Sequence, residues 1–214
     1  GTGNGNLKVN VPALEATFGI IYGLVQSKNG DLYVVANVKH VVLKFEFDKA
    51  EGTWSNVAII AGTGSSGKGG DDVLGTESAL NYPNGLSLIE NANGDVSAVL
   101  IADRINNRIR KLDMSTRTIT TIAGTGGAIG QLGDGSLAKD AQLSVPRHVY
   151  HDKSTGDIYI TDTGNGRIRR VRDGIISTVV GKTCTDSDGL GDGGQATAAC
   201  LNTPFDFTMN DAGE

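Results

Sequence analysis

The chain has 214 residues and a formal net charge of -5, from 19 basic and 24 acidic residues. That length accommodates one large all-β domain or two small ones, and the acidic balance opposes the broad basic surface of a nucleic-acid binder. No stretch approaches the roughly 18 consecutive apolar residues of a transmembrane helix. The sequence opens at Gly1 without a signal-like segment, so we expect a mature form or an excised fragment.

One pattern occurs three times along the chain. Each copy begins at a Gly-Asp pair, and the copies span residues 30–45, 94–112 and 156–171. A short β-like run follows each copy, and two of these runs end in Ala-Gly-Thr-Gly, at 61–64 and 123–126. Self-similarity at a period of about 60 residues predicts a repeat architecture.

Each repeat contains four predicted strands in chain order. Alternating polarity and turn residues place them at 22–27, 32–36, 40–47 and 56–61 in repeat one, at 84–89, 96–102, 107–113 and 118–123 in repeat two, and at 147–151, 158–161, 167–172 and 175–180 in repeat three. Glycine turns such as Asn29-Gly30, Asn93-Gly94 and Asp173-Gly174 separate neighbouring strands. Four short antiparallel strands per repeat predict β-propeller blades.

Three stretches resemble the NHL-repeat family, at 121–126, 159–171 and 191–204. The resemblance implies an all-β propeller, most often six-bladed, that binds partners more often than it catalyses. We predict blades at about 21–62, 83–124 and 146–181, with strands of partial blades at 1–3 and 204–210. Three blades do not close a ring of the usual four to eight, so we expect further blades or copies of the chain itself to complete it.

An acidic and a basic residue recur at the turn after the second strand. The pairs are Asp103 with Arg108 and Asp162 with Arg167. A ring of charges that binds a ligand is one interpretation. The favoured interpretation is structural, because an Asp at this position can accept backbone N–H bonds across the turn while the Arg lies along the blade. Repeat one has Asn37 there, and its turn is read as one residue shorter.

The two cysteines, Cys184 and Cys200, lie in one glycine-rich loop. We predict a disulfide between them, which favours an oxidising, extracellular location; two free thiols in a cytosolic protein are the alternative. The same loop contains Asp186, Asp188 and Asp192, a weak candidate for calcium binding. Asx turns are the favoured interpretation of these acids.

Catalytic chemistry is not indicated. His148 lies on the innermost strand of repeat three, but the matching positions are Gly23 and Gly85. NHL-like lyases that hold zinc with histidines from several blades would need more ligands than this. We therefore predict no catalytic residue, no cofactor and no metal centre in this segment, apart from the weak calcium candidate. The arginines of the third strands suggest an RNA-binding face as a further alternative, but neighbouring acids offset their charge.

These observations predict a non-catalytic, secreted or cell-surface propeller module for protein interaction or structural assembly. A subunit of an extracellular fibre or coat is one version of it, with protein partners or copies of itself and without nucleic acid or a membrane span. Two alternatives stay open. One is a metal-dependent lyase or lactonase whose remaining site residues lie on other blades, and the other is an RNA-binding NHL propeller.

Overall fold

A computed structural model describes residues 15–127, 130, 133–182, 184 and 191–209. The strands of this part form three antiparallel sheets, and the predicted all-β fold of four-stranded blades is confirmed. Blade one contains β1 (Ile21–Gln26), β2 (Leu32–Ala36), β3 (Val41–Asp48) and β4 (Thr53–Ala61). Blade two contains β6 (Leu86–Glu90), β7 (Val96–Asp103), β8 (Arg108–Asp113) and β9 (Thr118–Ala123), with the short β5 (Val73–Leu74) paired to β9. Blade three contains β10 (His148–His151), β11 (Ile158–Asp162), β12 (Arg167–Arg172) and β13 (Ile175–Val180). No helix in the described residues is long and apolar enough to cross a membrane.

Strands within each blade pair in chain order, as consecutive hairpins do. The predicted strand positions hold to within three residues. One predicted strand is not formed: residues 205–209, expected to open another blade, have no strand pairing. The first strand of a blade pairs with the second strand of the same blade, and no such second strand follows in this sequence. The predicted partial strand at 1–3 lies outside the described residues.

Each blade has two faces because side chains alternate along its strands. We call the face toward the preceding blade the upstream face and the opposite one the downstream face. The downstream face of blade one, with Tyr33 and Val42, packs on the upstream face of blade two, with Ile101 and Leu112. The downstream face of blade two packs in the same way on blade three through residues that include Ile109 and Ile160. Burial of these aliphatic faces, at about 25 cal/mol per Å² of apolar area, stabilises the stack.

The first strands of successive blades approach closely at the inner edge of the stack. A Cβ on Gly23 would lie 2.6 Å from the carbonyl oxygen of Asn84, and one on Gly85 would lie 2.8 Å from the Cα of His148. Only glycine permits this close backbone approach at positions 23 and 85.

Three similar loops follow the outer strands of the three blades, and the first two lead into the inner strand of the next blade. We call them junction one (67–83), junction two (133–146) and junction three (191–204). Each contains a 3₁₀ turn, at Gly75–Glu77, Ala138–Asp140 and Ala196–Ala198. Each ends in a proline preceded by a residue of left-handed backbone conformation, with φ of 48° at Tyr82, 49° at Val145 and 48° at Thr203.

Candidate functional site

A buried carboxylate marks the end of the second strand of blade two. Asp103 Oδ1 accepts the backbone N–H of Asn81 at 2.8 Å, and Oδ2 accepts bonds from Asn106 Nδ2 at 2.8 Å and Arg108 Nε at 3.1 Å. Arg108 continues to the carbonyl of Gly69 at 2.8 Å. Asp103 and Arg108 therefore bind junction one to blade two.

Blade three repeats this arrangement around Asp162. Its Oδ1 accepts the backbone N–H of Ser144 at 2.7 Å, and Oδ2 accepts Asn165 Nδ2 at 2.7 Å. Arg167 faces Asp162 across the β11–β12 ladder. These aspartates accept backbone N–H bonds, as the sequence predicts. The N–H groups belong to the junction loops, however, and not to the turn that follows the second strand.

The most deeply buried cations lie two residues farther along the third strand. Arg110 is completely buried and donates to Asp71 Oδ1 at 2.9 Å and to the carbonyl of Gly70 at 2.6 Å. Arg169 is completely buried and donates to Asp134 Oδ1 at 2.6 Å and to the carbonyl of Gln142 at 3.0 Å. Sequence reasoning missed these pairs. In both junctions the acid that binds the buried arginine lies ten residues before the residue whose N–H binds the strand-end aspartate: Asp71 before Asn81, and Asp134 before Ser144. This repeated spacing is the sequence signal that could have revealed the pairs.

Burial shifts the pKa values of the charged side chains that join the junction loops to blades two and three. It raises the pKa of Asp103, against the opposing effect of bonds from Asn106 and Asn81. It raises the pKa of Asp162 to about 6, although Asn165, Ser144 and Arg169 act in the opposite direction. The pKa of Arg110 is lowered to about 10, first by burial and then by Arg108. The hydrogen bonds that these groups make offset part of the desolvation cost of the buried ions.

Blade one lacks this chemistry. The turns after β2, β7 and β11 have the same length, so Ala36 stands where Asp103 and Asp162 stand, and Val41 and Leu43 replace the two arginines. The expectation of a turn one residue shorter in repeat one is wrong. Asn37, one position later, instead donates to the carbonyl of Pro83 at 2.7 Å.

Most arginines on the third strands are unavailable to a ligand. Arg110 and Arg169 are fully buried, and Arg108 is 5% exposed. The more exposed Arg172 donates to buried Asp157 at 2.8 Å. These side chains therefore do not form an open basic surface.

His148 lies on the inner strand of blade three, in contact with residues after junction three. Its Nδ1 is 3.1 Å from Asp206 Oδ1, and its ring packs edge-on against Phe207 with centroids 5.5 Å apart. Burial lowers the pKa of His148, and Asp206 acts in the opposite direction. Gly23 and Gly85 occupy the matching inner positions, so the described blades do not bring other histidines to it.

One edge of the stack combines exposed aromatic side chains with two arginines. It contains the entries to the inner strands and the turns after the second strands, and we call it the loop face. Its exposed apolar residues are Ile20, Ile21, Tyr22, Tyr82, Ile105 and Phe205. Arg147 stacks on Phe205, with its guanidinium carbon 4.1 Å from the ring centroid. Burial lowers the pKa of Arg147; Arg104 lowers it further, and Tyr22 opposes them.

The two arginines of the loop face retain unused donors. The Nε atoms of Arg104 and Arg147 are buried and have no hydrogen-bond partner among the described residues. Buried donors are normally paired, and these two lie beside exposed aromatic and aliphatic side chains, so we take the loop face as the candidate binding surface. Sequence reasoning did not connect Arg104 with Arg147.

Cys184 and Cys200 form a disulfide, with their Cα atoms 5.5 Å apart. Of the calcium candidates, Asp186 and Asp188 lie outside the described residues, and Asp192 is exposed in junction three. Within the described ranges, no group of three or more His, Cys, Asp or Glu side chains is arranged to hold a metal ion.

Comparison with known proteins gives relatives of part of the chain. No family model matches. The chain is 33% identical over 103 residues to protein SUPPRESSOR OF QUENCHING 1, chloroplastic, of Arabidopsis thaliana, covering 48% of this chain and 9% of that protein. It is 29% identical over 98 residues to NHL repeat-containing protein 2 of Bos taurus, covering 46% of this chain and 13% of that protein. The chain thus matches about a tenth of the length of these relatives.

Solved structures share the fold. The crystal structure of an auxiliary nutrient binding protein from Bacteroides ovatus superposes with a TM-score of 0.61 at 24% identity, over 72% of this chain and 36% of that one. That neighbour is a β-propeller. Repeated sequence, blade architecture and these similarities identify the chain as an NHL-like β-propeller segment.

Proposed function

We propose that this segment is a non-catalytic binding module whose loop face takes an acidic, partly apolar segment of a partner protein. The observation that carries the proposal is the pair Arg104 and Arg147, which have unpaired buried donors beside exposed Tyr22, Tyr82 and Phe205. Tyrosine and arginine dominate the energetics of protein interfaces because they combine a large contact area with directed hydrogen bonds. Both arginine residues are part-exposed, so a partner carboxylate can bind their guanidinium groups from solvent.

A protein partner fits this face better than RNA does. The loop face contains isoleucines as well as aromatics, which favours an apolar contact over base stacking alone. The overall charge of -5 opposes long-range attraction of a phosphate backbone. RNA binding remains the competing outcome in the experiment below.

A non-catalytic role is supported by what the polar side chains already do. The repeated aspartates and arginines bond to junction loops, and His148 contacts Asp206. The Cys184–Cys200 disulfide supports an extracellular or cell-surface location, since such bonds persist in oxidising compartments. The nutrient-binding name of the Bacteroides neighbour is compatible with a surface location.

Site-specific photo-cross-linking tests the proposal. A photoreactive phenylalanine analogue replaces Tyr82, and the chain is exposed to extracellular material from its native source. We expect a protein adduct whose cross-linked peptide contains clustered Asp and Glu. The Arg104→Ala/Arg147→Ala variant should lower the adduct yield at least about tenfold, because a hydrogen-bonded charge contributes roughly 1.5–3 kcal/mol.

The control is Lys49→Ala/Leu74→Ala, which removes one exposed cation and one exposed apolar side chain away from the loop face. It should leave the adduct yield unchanged. A nucleic-acid adduct, a yield equally reduced by the control, or no adduct at any salt concentration would each refute the proposal. Turnover of a bound small molecule by the intact protein would replace it with the enzyme alternative.

A further inference from the structure

Blades one and three each contain an acid, a tyrosine and a cation at matching positions around their second and third strands. The sets are Asp31, Tyr33 and Lys44 in blade one, and Asp157, Tyr159 and Arg170 in blade three. In both blades the tyrosine stands opposite the cation across the ladder of these strands. The Nζ atom of Lys44 lies 2.9 Å from a carboxylate oxygen of Asp31. In blade three the corresponding distance, from the arginine Nε atom, is 3.8 Å. Each cation is therefore paired with a carboxylate of its own blade.

Blade two keeps the cation, Lys111, but loses the other two members of the set. Leu100 stands opposite Lys111 across the β7–β8 ladder, and Ala98 takes the position of the acid. The nearest acid before it, Asp95, lies three residues earlier and accepts bonds from the side-chain amides of two turns. Asp113 accepts bonds from its own hairpin. Lys111 consequently forms no ion pair within the described residues.

A groove opens between blades two and three at this place. It has a volume of about 340 Å³, and Gly174 of the β12–β13 hairpin is one of the residues that line it. Its walls are mainly aliphatic, and its two charged side chains are lysines. The lining includes Ile89, Ile122, Ile158, Val171, Lys111 and Lys139. The groove therefore combines an apolar interior with positive charge.

Tyr33 fills the matching space between blades one and two. It is 1% exposed in the cluster that joins those blades. Burial raises the pKa of Tyr33, the charge of Asp31 raises it further, and Arg117 opposes them. Arg117 is the counterpart of Gly174, because the carbonyl of each accepts the N–H of the residue that opens a junction 3₁₀ turn. The tyrosine thus extends toward the corner that stays open one interface later, where Leu100 is shorter.

Lys139 brings a second cation to the groove. It is exposed in the 3₁₀ turn of junction two, where junction one has Thr76. Like Lys111, it forms no ion pair within the part of the chain that the structure describes. Blades one and three supply both a ring and a carboxylate from their own sequence. The groove instead offers space for a ring beside two such lysines.

We propose that this groove binds a small carboxylic acid that contains one aromatic ring. The ring packs on the aliphatic walls, in the place that Tyr33 takes one interface earlier, and the ligand carboxylate binds the ammonium groups of Lys111 and Lys139. A volume of about 340 Å³ is at the lower end of the range for small-molecule sites, which suits a single-ring acid rather than a nucleotide. The site is separate from the loop face, because Gly174 belongs to the hairpin at the other end of the third strand. It does not rest on the proposed function.

Titration of the intact protein with 3-(4-hydroxyphenyl)propionate tests the proposal, with the isoleucine methyl groups observed by NMR. This probe carries the ring and the carboxylate that blade two lacks. We expect saturable shifts at Ile89, Ile122 and Ile158, which line the groove. The matched neutral probe, 3-(4-hydroxyphenyl)propionamide, should bind at least about tenfold more weakly, because it makes no charge-assisted bonds to the lysines.

Leu100→Tyr returns the side chain of blade one to the groove, and it should abolish saturable binding of the probe by occupying the space. Lys111→Met should lower the probe affinity about tenfold, because it removes one of the two cations. This second variant decides the test if the tyrosine variant does not fold. The control is Lys49→Met, which removes an exposed lysine from the β3–β4 hairpin and should leave the affinity unchanged.

Absence of saturable shifts, equal affinity for the two probes, or undiminished affinity of Lys111→Met would each overturn the proposal. Shifts confined to Ile20, Ile21 and Ile105 would place the probe on the loop face and would overturn it as well. An affinity lowered equally by Lys49→Met would mean that overall charge attracts the probe, and the groove would then not be its site.

Discussion

At the scale of single residues, Arg110 and Arg169 each attach a junction loop to the blade that follows it. Each is fully buried and reaches a loop acid and a loop carbonyl. The Nε atoms of both remain without a hydrogen-bond partner among the described residues. Buried ion pairs with incomplete hydrogen bonding contribute little net stability. We infer that these pairs mainly fix the position of each junction loop on its blade.

Arg169→Met tests this interpretation. The substitution should lower the free energy of unfolding by about 3–5 kcal/mol, because buried Asp162 and the loop acid Asp134 lose their cation. Urea denaturation measures the change. Adding Asp134→Asn and Asp162→Asn to Arg169→Met should restore part of the loss, since the two carboxylates that lost this cation are then neutral. Exposed Lys139→Met, the control, should change the free energy of unfolding by no more than about 0.5 kcal/mol.

Asp113 gives a prediction about pH. Its Oδ1 accepts the backbone N–H of Ser115, the Ser115 hydroxyl and the backbone N–H of Thr116 in the β8–β9 hairpin. These bonds lower its pKa to about 2. A lowered pKa in the folded state adds stability above the unfolded value of 3.8, and that stability is lost as the pH falls toward 2.

Asp113→Asn should therefore be less stable than the unmodified chain at pH 6, and the difference should shrink between about pH 4 and pH 2. Thermal unfolding of both proteins across this range measures it. A difference that stays constant to pH 2 would show that the ionised carboxylate contributes nothing to the hairpin. Glu51→Gln, at an exposed hairpin position, is the control.

At the scale of elements, the inner strands depend on glycine for their spacing. A Cβ on Gly85 would approach the Arg147 carbonyl oxygen to 2.7 Å and the Cα of His148 to 2.8 Å, both backbone atoms that cannot turn aside. The β6 and β10 strands would have to separate, and the apolar contact of blades two and three would loosen.

We accordingly expect Gly85→Ala to destabilise the chain by about 1–3 kcal/mol, the usual cost of overpacking. The control is Gly70→Ala, because no atom lies within 4 Å of a Cβ there and no positive φ is needed. That substitution should be neutral or stabilise by up to about 1 kcal/mol through the unfolded state. Equal stabilities of the two variants in urea would contradict the role assigned to inner-strand spacing.

Strands could be predicted from the sequence because their signals are local. Alternation at 118–123 and the Asp173-Gly174 turn each fix an element within a few residues. The pairing of Arg110 with Asp71 spans 39 residues and exists only once blade and loop pack together. For the same reason residues 205–209 have strand-like composition but no strand, since their pairing partner would be the second strand of another blade. The turn after β2 has the same length as the turns of blades two and three, and only the pairing of Ala36 with Val41 between β2 and β3 shows this.

At the scale of the whole molecule, the loop face and the downstream face of blade three occupy different places. The loop face lies at one edge of every blade, around Tyr22 and Arg147. The downstream face lies on the flat side of blade three, next to Leu201. A partner can therefore bind the loop face without covering the downstream face of blade three.

The disulfide attaches junction three to the chain just after the last strand of blade three. It joins Cys184, just after β13, to Cys200 in junction three, with a sequence separation of 16 residues. Closing a loop of this size reduces the entropy of the unfolded chain, and the model of that effect gives about 3 kcal/mol. The covalent bond therefore adds a restraint to junction three that junctions one and two do not have.

Cys184→Ser/Cys200→Ser should lower the free energy of unfolding by about 2–4 kcal/mol in urea denaturation. Hydrogen exchange should accelerate across 191–204 and remain unchanged across 67–83, because only junction three relies on the bond. Thiol titration provides the control, with no reactive thiol expected before reduction and two afterwards. Acceleration spread evenly over all three junctions would mean that the disulfide stabilises the stack as a unit. Junction three would then be ordered by its own contacts.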